Sequence, residues 1–174
     1  MKKERDNWIL YVFVLTFVLS IVFSGISNVI VASFNEVVLF IILLIVISLG
    51  ILFDSIGTAS ITANEATFHS MSSNKIKGAK EAISLIKNAS KIASICNDVI
   101  GDICGILSGG LGAVLAISLS TTTGINNTII SVLVSALISS LTVGGKAIFK
   151  RVAMSKSDSI IFTVGKIKHF FRIK

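Results

Sequence analysis

The sequence has no proline in 174 residues, and only 14% of it is charged. A soluble domain of this size keeps about a quarter of its residues charged. So few charges cannot cover the core implied by a 53% hydrophobic composition and a mean hydropathy of +0.90. This excludes an ordinary soluble domain and points to an integral membrane protein. The lysines lie beside apolar segments, without the interleaved aromatics on which a strand-binding groove stacks bases. Nucleic acid is therefore not an expected partner.

Cysteine is scarce as well. Cys96 and Cys104 stand eight residues apart on one expected helix, roughly 12 Å of rise, too far for a disulfide between them. Both are expected to be reduced packing residues. No CxxC or HxxxH spacing supports a zinc site with His69, which is expected in a loop or interface. There is no Ser/His/Asp arrangement, phosphate loop or pair of catalytic carboxylates, so enzyme chemistry is not expected.

What the chain does have is apolar length. Four runs reach the roughly 20 residues that cross a bilayer: about 8–31, 37–59, 99–119 and 125–148. The first follows "MKKERDN", but its apolar core is too long for a signal peptide and no A-x-A-like site follows, so a retained span is expected. The expected class is an all-α membrane protein of four spans forming a single transmembrane domain over 1–174.

The loops give an orientation. The linker after the first span has one charge, Glu36, and "STTTGINN" has none. Segment 60–96 carries Lys75, Lys77, Lys80, Lys87 and Lys91 against Glu65 and Glu81. The tail carries Lys150, Arg151, Lys156, Lys166, Lys168, Arg172 and Lys174 against Asp158. The positive-inside rule puts both basic segments and the N-terminus in the cytoplasm, as an even number of spans requires. The expected location is the cell membrane, multi-pass, with both termini cytoplasmic. In the middle segment Ile76, Ala79, Ile83, Ile86 and Ala93 recur at helical spacing, and in the tail Ile160, Val164, Ile167 and Phe171 do. Basic amphipathic helices over about 76–95 and 159–173 are expected at the headgroup level of the bilayer, as surface struts or as partner-binding helices.

This topology brings several polar residues to one depth. Asp98 and Asp102 share a face near the inner end of the third span, and Asp54 falls near the inner end of the second. Ser55, Thr58, Ser94 and Asn97 add neutral oxygens at a similar level. Carboxylates and neutral oxygens together suit a hard cation such as Mg2+, and intramembrane acids mark functional sites by default. Structural roles are also open. Asp98 can cap the third helix, and Lys146 can neutralise Asp54 or Asp102.

Gly101, Gly105, Gly109 and Gly112, with Ala116, form a small-residue ridge of the kind along which membrane helices approach closely. Its partner is another span of the chain or a second subunit, so a homodimer or a membrane-protein partner is expected. Gly144 and Gly145 form a smaller pair near the end of the fourth span. Ser20, Ser24, Ser27 and Asn28 make a polar stripe on the first, suited to a water path or to hydrogen bonds with neighbouring helices.

The order of these features over roughly 37–170 resembles the transmembrane domain of the CorB/CorC and cyclin-M (CNNM) magnesium transporters. "FDSIGTAS" (53–60) is similar to that family's serine-rich, glutamate-bearing motif, and "GAKEAISLIKNASKIAS" (78–94) to its juxtamembrane helices. "LTVGGKAIFKRVA" (141–153) is similar to the stretch around its Gly-Glu…Pro-Lys motif. The resemblance implies a dimeric transporter of divalent cations with an ion site around Asp54 and Ser55. The departures fall on that site: Gly57 and Gly145 stand where the family has glutamates, and the proline is missing. The family's paired asparagines have no clean match, although Asn97, Asp98 and Asp102 lie nearby. The family's paired nucleotide-sensing (CBS) domains are also missing, so regulation of that kind is expected to be absent or supplied by a partner. Two expectations follow. One is a divergent transporter in which Asp54, Asp98 and Asp102 replace the glutamates. The other is a non-transporting scaffold or partner subunit that keeps the fold.

Overall fold

A computed structural model describes residues 2–33 and 35–172, with side chains placed for 10–25 and 35–171. Ser27 and Asn28 of the polar stripe therefore lie outside the described side chains. Among the described residues eight α-helices follow in order: α1 (Lys2–Ser33), α2 (Glu36–Thr62), α3 (Glu65–Ser73), α4 (Ala79–Lys87), α5 (Ala89–Ala93), α6 (Gly101–Thr123), α7 (Asn127–Ser155) and α8 (Ser157–Arg172). A π-helical turn, Ser94–Ile100, joins α5 to α6. No strand occurs among the described residues.

Among the described residues three helical stretches are long and apolar enough to cross a membrane: Glu36–Thr62, the 35 residues Ala89–Thr123, and Asn127–Ser155. In α1 the described apolar stretch, Leu10–Gly25, is shorter. The absence of proline lets these helices run unbroken, since nothing removes a backbone donor inside them.

The middle segment departs from its expected boundaries. A single helix over 76–95 does not form, because Asn88 interrupts it. The Asn88 backbone N–H donates to the Leu85 carbonyl at 3.1 Å, and its side-chain amide donates to the Ser84 carbonyl at 2.9 Å. That local bonding closes α4, as asparagine does when its side chain competes for the backbone. Residues 89–123 then continue as one helical rod, ten residues longer at its N-terminal end than the expected span. His69, expected in a loop or interface, lies in α3, 3.1 Å from Glu65 one turn earlier.

The chain divides into two compact units, residues 1–51 with 99–145, and 52–98 with 146–174. In the first, Leu39, Leu43 and Ile47 recur every four residues on α2 and bury against Leu111 and Leu115 of α6. The opposite face of α2 leaves Ile41, Ile45 and Leu49 exposed, an arrangement suited to lipid. Of the glycine ridge, Gly101 and Gly112 are buried, and a Cβ on Gly112 would lie 2.1 Å from the Ile138 side chain of α7. Gly105 and Gly109 have open space where a side chain would stand.

The second unit gathers a small core from Ala59, Phe68, Ala82, Leu85, Ala153 and Ile161. Phe68 is fully buried, its ring 6.5 Å from that of Phe162. α8 approaches α4 through glycine. A Cβ on Gly165 would fall 2.6 Å from the Gly78 carbonyl oxygen, and one on Gly78, at φ +90°, would fall 2.9 Å from the Lys166 nitrogen. At the far end of the same contact, Glu81 and His169 meet at 3.1 Å. Asp158 accepts the Asn64 backbone N–H at 2.8 Å, which fixes the start of α8 on the turn between α2 and α3.

Candidate cation-binding site

The second unit contains a run of small buried residues on α2: Gly57, Thr58, Ala59 and Ser60. Small side chains let another backbone come close, and Ser60 marks how close. Its hydroxyl donates to the Gly57 carbonyl at 2.7 Å and reaches the Ala89 carbonyl, at the start of α5, at 3.4 Å. The π-turn that follows α5 carries Asn97 against this run. A Cβ on residue 57 would lie 1.9 Å from Asn97 Oδ1, so the Asn97 carboxamide occupies the space that glycine leaves.

That oxygen is buried and has no hydrogen-bond partner. Leaving a desolvated acceptor unpaired costs about 1–3 kcal/mol. π-turns occur in helices most often at functional sites, where the extra residue redirects side chains out of the regular register. Here the unsatisfied oxygen sits on such a turn, beside an open cleft of about 570 Å3 that Ser90, Ser94, Asn97 and Asp98 line from one side and Ile61 from another. Spacings of four, three and four residues keep those polar groups on one helical face. Asp98 is exposed within it.

The sequence-derived residues therefore separate. Asn97 and Asp98 come together at the cleft. Asp98 caps no helix start, because the helix begins nine residues earlier, at Ala89. Ser55 is buried on α2. Asp54 is only slightly exposed and stands 3.7 Å from Lys146, the structural ion pair weighed from the sequence. Asp102 belongs to the first unit and is exposed on the first turn of α6. No group of three or more His, Cys, Asp or Glu side chains gathers in a metal-binding arrangement among the described residues.

Two contributors escaped the sequence reading, Ser90 and Gly57. Ser90 was legible as the first member of a Ser90, Ser94, Asn97/Asp98 helical row. The role of Gly57 as the seat of the Asn97 amide was not, since it depends on how two helices are rotated about their axes.

Chemically the cleft offers one carboxylate and two hydroxyls, with the Asn97 carboxamide at its edge and that amide's oxygen turned in against Gly57. That is too few fixed oxygens to cage Ca2+, which takes six to eight. It fits Mg2+, which keeps several waters and accepts one or two protein carboxylates. Compared with protein-family models, curated proteins and solved structures, the chain matches none of them.

Proposed function

We propose that this protein binds a hydrated divalent cation, Mg2+, as cargo at the cleft of its second unit, and that it is a membrane transporter of the CorB/CNNM type. The supporting observation is the buried, unpartnered Asn97 Oδ1 held against Gly57 on a π-turn. Asp98 supplies the charge and the Asn97 carboxamide a neutral oxygen on turning out of its seat on Gly57, while Ser90 and Ser94 hydrogen-bond the ion's remaining water. Asp54 is left out of this set, because Lys146 neutralises it. The accompanying topology has four spans, the first running through α1, with both termini and the basic segments in the cytoplasm, so that the cleft opens at the inner face. A homodimer packed through the open positions Gly105 and Gly109 completes the proposal.

The test is calorimetric titration of the purified full-length chain with MgCl2, with CaCl2 and NaCl as controls. Saturable Mg2+ binding is expected in the wild type and in Asp102→Asn. It is expected to vanish in Asn97→Leu, which keeps the volume and removes the oxygen, and in Gly57→Ala, which displaces it. A wild type that binds no Mg2+, or an Asn97→Leu chain that binds normally, overturns the proposal.

One observation favours a second reading, a partner subunit that keeps the fold without transport. Glycine stands at 57 and 145, Asp54 is tied to Lys146, and a single carboxylate lines the cleft. In that case the wild type shows no cation binding and co-purifies with another membrane protein.

A further inference from the structure

The two faces of α8 differ in character. Ser157, Ile161 and Gly165 are buried at four-residue intervals, and His169 continues that row to Glu81. On the outer side, near the C-terminal end, Ile167, Phe170 and Phe171 are 52%, 64% and 72% exposed. The two phenyl rings meet edge to face with centroids 5.9 Å apart, so they form one apolar knob. Exposed Lys166 and Lys168 stand beside it, the Lys166 ammonium held 4.2 Å above the Phe162 ring.

Residues 159–174 contain no acid, and Arg172 and Lys174 extend the basic run. Of the acids on or against α8, Glu81 meets His169, and Asp158 accepts the Asn64 N–H at the other end of the helix. The knob thus offers large apolar groups ringed by positive charge alone. A second copy of this chain is a poor match, because it carries a net charge of +7 and would bring the same lysines face to face. An anionic lipid surface matches both features, since interfacial anchors combine bulky apolar side chains with lysines that reach headgroup phosphates. Connectivity agrees. α8 begins two residues after α7 ends, and α7 is one of the helices long enough to cross a membrane.

We infer that α8 docks on anionic lipid through Ile167, Phe170 and Phe171, with Lys166 and Lys168 at the phosphates. The F171W variant, in a W8F background that removes the chain's other tryptophan, reports on the knob in the full-length protein. It is placed in nanodiscs of brominated phosphatidylcholine, alone or mixed with phosphatidylglycerol. Strong quenching is expected in the mixed discs and weak quenching in phosphatidylcholine alone, with the difference reduced by high salt. The K166Q/K168Q double substitution should weaken the response to the anionic lipid on the order of tenfold. Equal quenching in both discs, untouched by K166Q/K168Q, overturns the role of anionic headgroups. A reporter shielded from aqueous iodide but not quenched by the lipid shows that protein covers the knob, which also overturns it.

Discussion

In the first unit Leu39, Leu43, Ile47, Leu111 and Leu115 make a core of branched aliphatics, and large apolar side chains also cover much of the outside. In the second, three alanines share the core with Phe68, Leu85 and Ile161, and Ser55, Thr58, Ser60, Glu81 and Ser157 are buried in the same unit. Lys80, Lys87, Lys166 and Lys168 of that unit are exposed. We read the difference as one of solvent, lipid around the first unit and water around the second. Helices that face lipid gain little by burying a leucine, because lipid tails are as apolar as the core. Helices that face water gain the full transfer free energy, about 25 cal/mol per Å2. Small residues can fill half of such a core only where each apolar group is withdrawn from water and the polar groups are bonded.

The comparison breaks most visibly by truncation in each core. Phe68→Ala should cost about 3–5 kcal/mol, as for other fully buried phenylalanines. Leu43→Ala should cost about half of that or less, since only packing contacts are lost and no water enters. Thermal unfolding of both variants in the same detergent, followed by circular dichroism, measures the pair. Equal losses would mean that the two cores are stabilised by the same force.

Glycine gives a second contrast. Gly165→Leu places its Cβ 2.6 Å from a backbone oxygen that cannot rotate away. The cost should be about 1–3 kcal/mol, with hydrogen-exchange protection lost in α4 and α8 together. A Cβ at position 105 meets nothing within 4 Å, and Gly105→Leu should leave stability within about 0.5 kcal/mol. If Gly105→Leu nevertheless weakens crosslinking between chains, a second copy packs on that face. Unchanged protection of α8 in Gly165→Leu would show that the glycine contact does not hold the helix.

These contrasts also explain which parts of the molecule the sequence could reveal. Length and hydropathy declare themselves locally, so the three long apolar helices were visible in runs such as Val37–Ala59. Asn88 was harder, because one polar residue in a periodic stretch looks the same whether it ends a helix or faces outward. Asp98 looked like a cap because the apolar run begins beside it, whereas the helix itself begins at Ala89. The seat of Asn97 on Gly57 joins residues 40 positions apart, and nearly uniform apolar helices contain no periodic signal that sets their rotation. Lys146 was readable as the partner of Asp54 or Asp102, because opposite charges at one expected depth have few other partners, and the structure pairs it with Asp54.

The smallest expected effect lies at a polar tie within the apolar unit. Glu36, in the first turn of α2, accepts hydrogen bonds from the Ser118 hydroxyl and, at 3.4 Å, from the Thr122 hydroxyl of α6. Its carboxylate also faces the positive end of its own helix, a favourable placement for an acid. Glu36→Gln preserves an acceptor but removes the charge that strengthens such bonds about twofold, so the loss should be about 1 kcal/mol. Ser118→Ala should cost a similar amount, and the double variant less than the sum, because both remove the same bond. A double-mutant cycle on unfolding midpoints gives the coupling, expected above about 0.5 kcal/mol for groups in contact. Strict additivity would mean that the two helices of the first unit are held by apolar packing alone at this end, which would make its contrast with the second unit complete.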